Sequence, residues 1–239
     1  MPLNEFCRTE LLVGEEGIAK LHNSKVIVFG IGGVGSFVVE ALTRAGVGNL
    51  ILVDNDTICI SNINRQIHAR QSTVGMIKVE AMKERVISIN PNCNVEAKQV
   101  FITAENISEI IPSDVDYVVD AIDTVTSKLA LAEYCYKNNI NIISSMGTGN
   151  KIDPTQFRVS DVFKTKVCPL AKVMRYELRK RGVKELKVVY SEEMPMTPDK
   201  GRAVPSQKRQ TPGSISFVPP VAGMIIGGEV IKDLTGLNK

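Results

Sequence analysis

Apolar residues follow two alternating patterns along this chain. Short, mostly apolar runs predict five strands, at 25–29, 49–53, 95–101, 116–120 and 140–144. Between most of these runs apolar positions recur with the period of a helix, at about 34–44, 76–89 and 126–137, and residues 1–22 show the same period. Because strands that alternate with helices form a mostly parallel sheet with helices on both faces, the pattern predicts a Rossmann-like α/β fold.

The pattern changes after Asn150. Further elements are predicted there: a strand at 153–159, a basic helix at 169–181, a strand at 187–190 and a long mobile loop at 194–212. The apolar segment 215–231 contains two prolines and a glutamate, so it predicts a buried or dimer-interface helix rather than a membrane span. We expect a single domain over residues 1–239, with a nucleotide-binding core at about 1–150 and a C-terminal α/β extension at about 151–239 that binds the substrate.

Composition is that of an ordinary globular protein, with 44% hydrophobic and 23% charged residues. The first residues lack the basic and then apolar stretch of a signal peptide. The five cysteines are at least 33 residues apart, which argues against a disulfide framework and against a Cys-x-x-Cys zinc site. Reduced thiols and a cytoplasmic location are expected, and no zinc is expected.

Positive charge is concentrated in one part of the chain. The whole sequence has a formal net charge of +3, whereas residues 162–210 contain 13 Lys or Arg and 5 Asp or Glu. This asymmetry favours a polyanionic partner for the C-terminal third, and a solvated charged face is the alternative.

A glycine-rich turn follows the first predicted strand and opens the next helix. Its glycines are Gly30, Gly32, Gly33 and Gly35. Glycine allows a tight turn and a close approach to phosphates, and the N-terminus of the helix offers free N–H groups. Asp54 ends the second strand, where a carboxylate can accept hydrogen bonds from ribose. The motif alone does not separate NAD from ATP, and a tight turn without a ligand is a further alternative.

Polar residues downstream favour ATP, because a triphosphate needs several donors and cations. They are Asp56, Asn62, Arg65, Gln66 and Lys78. Asp123 follows the fourth strand at the expected ligand side, which suits a carboxylate that holds Mg²⁺. Each residue has an alternative: Arg65 and Lys78 as solvated charges, Asn62 and Asp123 as helix caps.

These motifs resemble the adenylating enzymes of the ubiquitin-activating, ThiF and MoeB superfamily. The resemblance runs through the glycine turn, Asp54, the segments 62–66, 75–78 and 120–123, and the C-terminal segment 217–220. It implies that Asp54 binds ribose, that Asn62, Arg65, Gln66 and Lys78 contact the triphosphate, and that Asp123 holds Mg²⁺. It also implies that Arg8 reaches into the ATP site of the other subunit of a homodimer.

Within the superfamily, the segments 65–69, 90–91 and 151–156 are similar to the dehydratases of threonylcarbamoyladenosine in tRNA. The resemblance implies that the threonyl carboxylate is adenylated by ATP and that an internal nucleophile then closes a ring and expels AMP. The alternative substrate is the C-terminus of a ubiquitin-like sulfur carrier, although activators of such carriers usually hold a zinc in paired Cys-x-x-Cys motifs. A sulfur-transfer or other accessory protein is a further candidate partner.

Two hypotheses of other classes stay open at this point. One is an NAD-dependent oxidoreductase, and the other is an RNA-binding protein with an inactive nucleotide fold. Cys168 is also a candidate, because some superfamily members transfer the acyl group to a cysteine and Lys164 and Lys166 could lower the pKa of its thiol. A structural cysteine is the alternative, since ring closure needs no thioester.

Overall fold

A seven-stranded sheet forms the centre of the computed structural model, which describes residues 4–197 and 212–237. The strands are β1 (Lys25–Phe29), β2 (Asn49–Val53), β3 (Asn94–Lys98), β4 (Tyr117–Asp120), β5 (Ile142–Ser145), β6 (Phe157–Asp161) and β7 (Lys187–Ser191). Their order is β3-β2-β1-β4-β5-β7-β6, and every neighbouring pair is parallel except β6 with β7. The predicted mostly parallel sheet is therefore confirmed.

Helices cover both faces of this sheet. They are α1 (Cys7–Asn23), α2 (Gly35–Ala45), α3 (Lys78–Ile89), α4 (Ile107–Ile110), α5 (Val125–Lys137), α6 (Pro169–Lys180) and α7 (Val218–Thr235). Successive side chains of a strand point to opposite faces. Val26 and Val28 accordingly pack with α2, α3 and α7, whereas Ile27 and Phe29 pack with α4 and α5. The α/β layers predicted from the apolar pattern are present.

The strand order reverses direction between β1 and β4. The connection after β1 leads towards β2 on one side, and the connection after β4 leads towards β5 on the other. In a doubly wound sheet such a point leaves a crevice at the carboxyl ends of the strands, and ligands bind there. Gly30 lies at this point, because a Cβ atom at its position would be 2.7 Å from the carbonyl oxygen of Ala121.

The structure refines several predicted boundaries. The strand predicted at 153–159 begins only at Phe157, because Pro154–Gln156 form a 3₁₀ turn that the Asp153 side chain caps. The strand predicted at 95–101 ends at Lys98. The short helix α4 was not predicted. Strands β6 and β7 extend the same sheet as β1 to β5. Most of the predicted loop, including Lys200, Arg202, Lys208 and Arg209, lies outside the described residues.

The C-terminal helix α7 packs directly on α2. A methyl group at Gly223 would overlap the Val34 carbonyl, and one at Gly227 would lie 2.6 Å from the Cβ of Ala41. The two backbones are therefore in close contact, and α7 is a core helix of this fold. Across the described ranges, none of the helices combines the length and the apolar character needed to cross a membrane.

Candidate nucleotide-binding site

Two glycines of the turn after β1 differ in what a side chain at their position would meet. A methyl group at Gly35 would overlap the carbonyl oxygen of Gly30, so the turn itself requires glycine there. At Gly32 the nearest atom to a built Cβ is Nε2 of Gln66, at 3.9 Å. The protein alone would accept a side chain at Gly32, and the open volume in front of it is available to a ligand. The N-cap residue of α2, Val34, makes no side-chain cap, and the Ser36 and Phe37 amides donate to the carbonyls of Gly32 and Val34 within the turn. The positive end of the helix faces the open volume, which favours an anion there.

Asp54 joins the glycine turn to the end of β2. Its Oδ2 accepts the Ile31 amide at 2.7 Å and its Oδ1 accepts the Asp56 amide at 2.8 Å. Burial raises the pKa of the Asp54 carboxyl, and the positive charge of Lys78 opposes that shift. Because each carboxylate oxygen has a second lone pair, the oriented Asp54 side chain can still accept a ribose hydroxyl.

Lys78 begins α3 and points to the same two aspartates. Its Nζ lies 2.7 Å from Oδ2 of Asp56 and 3.7 Å from Oδ1 of Asp54, and only 7% of its side chain is exposed. A solvated lysine, the alternative reading of this residue, is therefore wrong. The lysine neutralises a carboxylate pair, and one member of that pair, Asp54, is bonded to the Ile31 amide in the turn.

The segment from Asn62 to Gln66 lies over the glycine turn. The Asn62 side chain accepts the Cys59 amide at 3.0 Å, so Asn62 does cap the short 3₁₀ helix Ile60–Asn62. A built Cβ at Gly33 would be 3.2 Å from Cγ of Arg65, which shows that the arginine stem packs on the turn. Burial lowers the pKa of the Arg65 guanidinium from its ordinary value.

Gln66 is the residue of this segment that the fold leaves unsatisfied. It is buried, and its Oε1 has no hydrogen-bond partner among the described residues. Buried polar atoms are nearly always paired, because desolvation without a hydrogen bond is unfavourable. The atom of this side chain nearest to the open position at Gly32 is Nε2, at 3.9 Å, so a ligand at the turn would meet the amide N–H groups of Gln66.

A buried ion pair supports the turn after β4. Nζ of Lys128 lies 2.8 Å from Oδ2 of Asp120, and neither side chain is exposed. The Asp120 carboxylate also accepts the Ser144 hydroxyl at 2.5 Å and the Ile122 amide at 3.1 Å. The sequence motif included Asp120 without assigning it a role, and Lys128 was missed because its place on a helix resembles that of a solvated lysine.

Asp123 follows this turn and is exposed. Its Oδ1 accepts a long hydrogen bond from the Thr124 hydroxyl, at 3.4 Å. The part of the chain that the structure describes contains no group of three or more His, Cys, Asp or Glu able to hold a metal ion. A cation at Asp123 would therefore take most of its ligands from phosphate oxygens and water, which is the usual environment of Mg²⁺ beside a nucleotide.

Arg8 lies away from the other candidate residues. It is exposed near the start of α1. Two residues before it, the ring of Phe6 lies so close to Gly46, the C-cap of α2, that a Cβ atom there would be 3.2 Å from the ring. That end of α2 is at the amino edge of the sheet, opposite the glycine turn. The structure does not bring Arg8 to the site of its own chain.

His68 is a residue of this region to which the sequence pattern gave no role. Only 3% of it is exposed, and neither ring nitrogen has a partner among the described residues. Burial, together with the charges of Lys78 and Arg85, lowers its pKa to about 4. The imidazole is therefore neutral at physiological pH. A single histidine in a polar run offers no sequence signal for this state.

Contacts between distant segments close one side of the crevice. Nδ2 of Asn64 donates to the Ser214 carbonyl at 2.9 Å, and the Asn150 amide donates to the Gly213 carbonyl at 2.8 Å. The segment that precedes α7 therefore contacts both the 62–66 segment and the end of the β5 loop.

Cys168, at the N-terminus of α6, is buried, which agrees with a structural cysteine.

Comparisons with known proteins agree with this geometry. The model of the ThiF family matches residues 6–239. The tRNA threonylcarbamoyladenosine dehydratase of Bacillus subtilis (strain 168) is 46% identical over 97% of this chain and 95% of its own length. The protein of the same name from Escherichia coli (strain K12) is 43% identical over 73% of this chain and 65% of its own length, slightly under two thirds.

A solved structure extends the likeness to three dimensions. The crystal structure of E. coli tRNA N6-threonylcarbamoyladenosine dehydratase, TcdA, in complex with ATP superposes with a TM-score of 0.88 at 35% sequence identity. The superposition covers 98% of this chain and 95% of that one.

Proposed function

This chain belongs to the ThiF family, and from that premise we propose that it is an ATP-dependent dehydratase of threonylcarbamoyladenosine in tRNA. Relatives of that name match nearly the whole chain, and the related crystal structure holds ATP. The observation that carries the proposal is the open volume at Gly32, bordered by Nε2 of Gln66 and close to the Asp54–Lys78 pair. Those groups fit a nucleotide phosphate and ribose at the switch point of the sheet.

The proposed reaction has two steps. An oxygen of the threonyl carboxylate attacks the α-phosphate of ATP, so that an acyl-adenylate forms and pyrophosphate leaves. A nucleophile within the modification then attacks the acyl carbon, closes a ring and expels AMP, which carries the former carboxylate oxygen. The modified nucleoside thereby loses one water. Both steps depend chiefly on positioning and on neutralising charge that develops on phosphate oxygens.

Residues of this chain have separate roles in the proposed reaction. Asp54 would accept the ribose hydroxyls, and Asn62, Arg65 and Gln66 would contact the phosphates. Lys78 would neutralise phosphate charge while Asp56 holds it in place. Gly30, Gly32, Gly33 and Gly35 would leave the turn free of side chains, so that backbone N–H groups reach the nucleotide.

Mg²⁺ is the proposed metal, held by Asp123. An exposed carboxylate at a strand end, close to the phosphate turn, is the donor that Mg²⁺ takes beside a nucleotide. The ion would screen the charge of the leaving pyrophosphate. The pair of Asp120 with Lys128 supports this role, because it fixes the turn from which Asp123 projects.

The assembly and the location are further parts of the proposal. We infer a homodimer in which Arg8 acts on the site of the partner subunit, since its own site is on the opposite edge of the sheet. The exposed Leu11 and Leu12 of α1, at 83% and 81%, offer apolar area for that contact. Binding to tRNA would use the basic residues of α6, and the enzyme would work in the cytoplasm, with a sulfur-transfer or other accessory protein as a candidate partner.

The deciding experiment is mass spectrometry of tRNA nucleosides after incubation with enzyme and MgATP. Threonylcarbamoyladenosine should lose the mass of one water, with one AMP formed for each product. Omission of ATP is the control. If the nucleoside mass stays unchanged while a protein ending in Gly-Gly stimulates pyrophosphate exchange, the chain activates a sulfur carrier instead.

A further inference from the structure

The exposed face of α6 carries a stripe of basic residues with an aromatic residue at its centre. Helical spacing brings positions 172, 176 and 179–180 to one side, while Ala171, Met174 and Leu178 are buried on the other. The outward residues are Lys172, Val173, Tyr176, Arg179 and Lys180. Tyr176 is 60% exposed, so its ring is accessible among these cations.

The ring of Tyr176 is oriented by its neighbour. Nζ of Lys180 lies 4.0 Å from the centroid of the ring, and the same ammonium is 3.5 Å from Glu177. This contact covers one face of the ring. With 60% of the residue exposed, much of the rest of the ring is accessible to solvent. A held and accessible aromatic plane is the arrangement on which an unpaired base stacks.

The remaining cations of the segment have different tasks. Nη1 of Arg175 donates to the Thr165 carbonyl at 3.0 Å and to the Thr165 hydroxyl, so it joins α6 to the preceding turn. The guanidinium of Arg179 lies 5.2 Å from the centroid of the Phe163 ring, and Arg181 lies 3.8 Å from Glu133. Arg175 and Arg181 thus contact other groups of the protein. The exposed stripe therefore contains fewer cations than the number of Lys and Arg residues in the segment 172–181.

The stripe starts beside the candidate active site. Leu170, in the first turn of α6, lies next to Gly147: a Cβ atom at that glycine would be 3.9 Å from the Cβ of Leu170. Gly147 follows β5 at the carboxyl edge of the sheet. From Leu170 to Tyr176 the helix rises by about 9 Å. An RNA whose modified nucleoside enters the crevice would pass over Lys172 and reach Tyr176 within a few nucleotides.

We propose that Tyr176 is a stacking platform for an unpaired base of the tRNA substrate, and that Lys172 and Arg179 on either side contact its phosphates. The proposal rests on the proposed function for the identity of the RNA. It differs from a purely electrostatic surface, because a base stacked on Tyr176 makes recognition depend on single-stranded RNA. Duplex RNA keeps its bases stacked on each other and offers none to the ring.

The test compares Tyr176→Ala with Tyr176→Phe and with Lys172→Ala in the full chain. Affinity is measured for threonylcarbamoyladenosine-containing tRNA and for a fully paired RNA duplex, each at several salt concentrations. Because Tyr176→Ala loses one stacked base, this variant should bind tRNA about 5- to 150-fold more weakly than the parent, with an unchanged salt slope. Tyr176→Phe should bind like the parent, and Lys172→Ala should reduce the salt slope by about one unit.

A spectroscopic readout separates stacking from a general loss of contact. A 2-aminopurine substituted into the unpaired loop of the tRNA should be quenched on binding to the parent and to Tyr176→Phe, but not to Tyr176→Ala. ATP binding should be equal in all variants, which controls for folding. Unchanged tRNA affinity in Tyr176→Ala, or an equal loss on the duplex, would overturn the proposal. A parent that binds tRNA with Tyr176-dependent quenching yet forms no dehydrated nucleoside would refute the proposed function and leave the stacking site standing.

Discussion

Lys128 and Asp120 form an ion pair of 2.8 Å with both side chains fully buried. Nζ of Lys128 also donates to the Ile122 carbonyl at 3.2 Å, and the Ile122 amide donates to Asp120 at 3.1 Å. The pair therefore binds both the N–H and the C=O group of Ile122, the residue that precedes Asp123. Its function is to hold the turn at the carboxyl end of β4 in one conformation.

Removing one member of this pair should be far more harmful than removing both. Lys128→Met leaves a buried carboxylate without its counter-ion and should lower the free energy of unfolding by about 3–5 kcal/mol. The double variant Lys128→Met, Asp120→Asn should recover most of that loss. Urea unfolding of the three proteins measures the difference. Equal stability of Lys128→Met and the parent would show that the pair does not act as described.

Gly32→Ala should separate binding from folding. The open volume in front of Gly32 accepts a methyl group, so the free energy of unfolding should change by no more than about 0.5 kcal/mol. ATP affinity should fall at least about tenfold, because the methyl group lies where a phosphate would approach the turn. Gly35→Ala is the matched control: it should destabilise the fold by about 3 kcal/mol or more, since the methyl group overlaps a backbone carbonyl. Normal ATP affinity of Gly32→Ala by calorimetry would exclude the turn as the phosphate site.

Asp123→Asn tests the metal. If Asp123 holds Mg²⁺ beside the phosphates, the variant should keep the fold and lose roughly a thousandfold in turnover. Asp114→Asn is a suitable control, because Asp114 is an exposed carboxylate that pairs with Lys25 at the opposite edge of the sheet. AMP release measured at saturating MgATP should be normal in that control. Near-normal release by Asp123→Asn would remove this residue from the site.

His68 should make the protein sensitive to acid. Its pKa is lowered to about 4 by burial and by Lys78 and Arg85, whereas an unfolded histidine titrates near 6.5. Between these values the unfolded chain binds a proton that the folded protein does not, so stability falls as the pH drops from about 6.5 to 4, by up to about 3 kcal/mol. Above pH 6.5 this contribution to pH dependence is absent.

His68→Gln should remove this part of the pH dependence. His22→Gln, which changes the second of the two histidines, is the control. Urea unfolding at pH 7, 6, 5 and 4 gives the comparison with the parent. A His68→Gln protein that loses as much stability as the parent over this range would show that the imidazole is not held neutral.

Complementation tests the role of Arg8. The distance of Arg8 from its own glycine turn predicts that it serves the partner's site in a dimer. Arg8→Ala and Asp123→Asn should each be inactive alone, whereas a mixed dimer has one site with both residues intact. Equal mixing after subunit exchange should restore about a quarter of parent activity. No recovery in confirmed mixed dimers, or a monomer in sedimentation at micromolar concentration, would contradict the proposal.

The sheet was predictable because its strands are marked by apolar runs with intervening helical periods. Each run from β1 to β5 was placed within a few residues. Helix α4, at four residues, is too short to show a period, and Pro154–Gln156 form a turn whose cap depends on one local side chain. Such short-range choices leave little trace in hydrophobic patterning.

The candidate site was predictable at the level of its segments and less so for its supporting contacts. Glycines and strand-end aspartates occupy positions fixed by the fold, so their convergence follows from topology. The burial of Lys78, the ion pair of Lys128 and the neutral state of His68 depend on which neighbours surround each side chain. Those neighbours come from elements far apart in the chain, and residue type alone does not reveal them.

The packing of α7 on α2 has a consequence for how the protein is made. Gly223 and Gly227 place the last helix directly against the helix that starts at the glycine turn. During synthesis on the ribosome, residues 25–53 emerge long before residues 218–235, so the side of α2 that packs on α7 stays uncovered for most of translation. The contact between α7 and the start of α2, beside the glycine turn, therefore forms only after the C-terminal segment has left the exit tunnel. A chain that stops before residue 218 would lack this contact and would leave the side of α2 that faces α7 exposed to water.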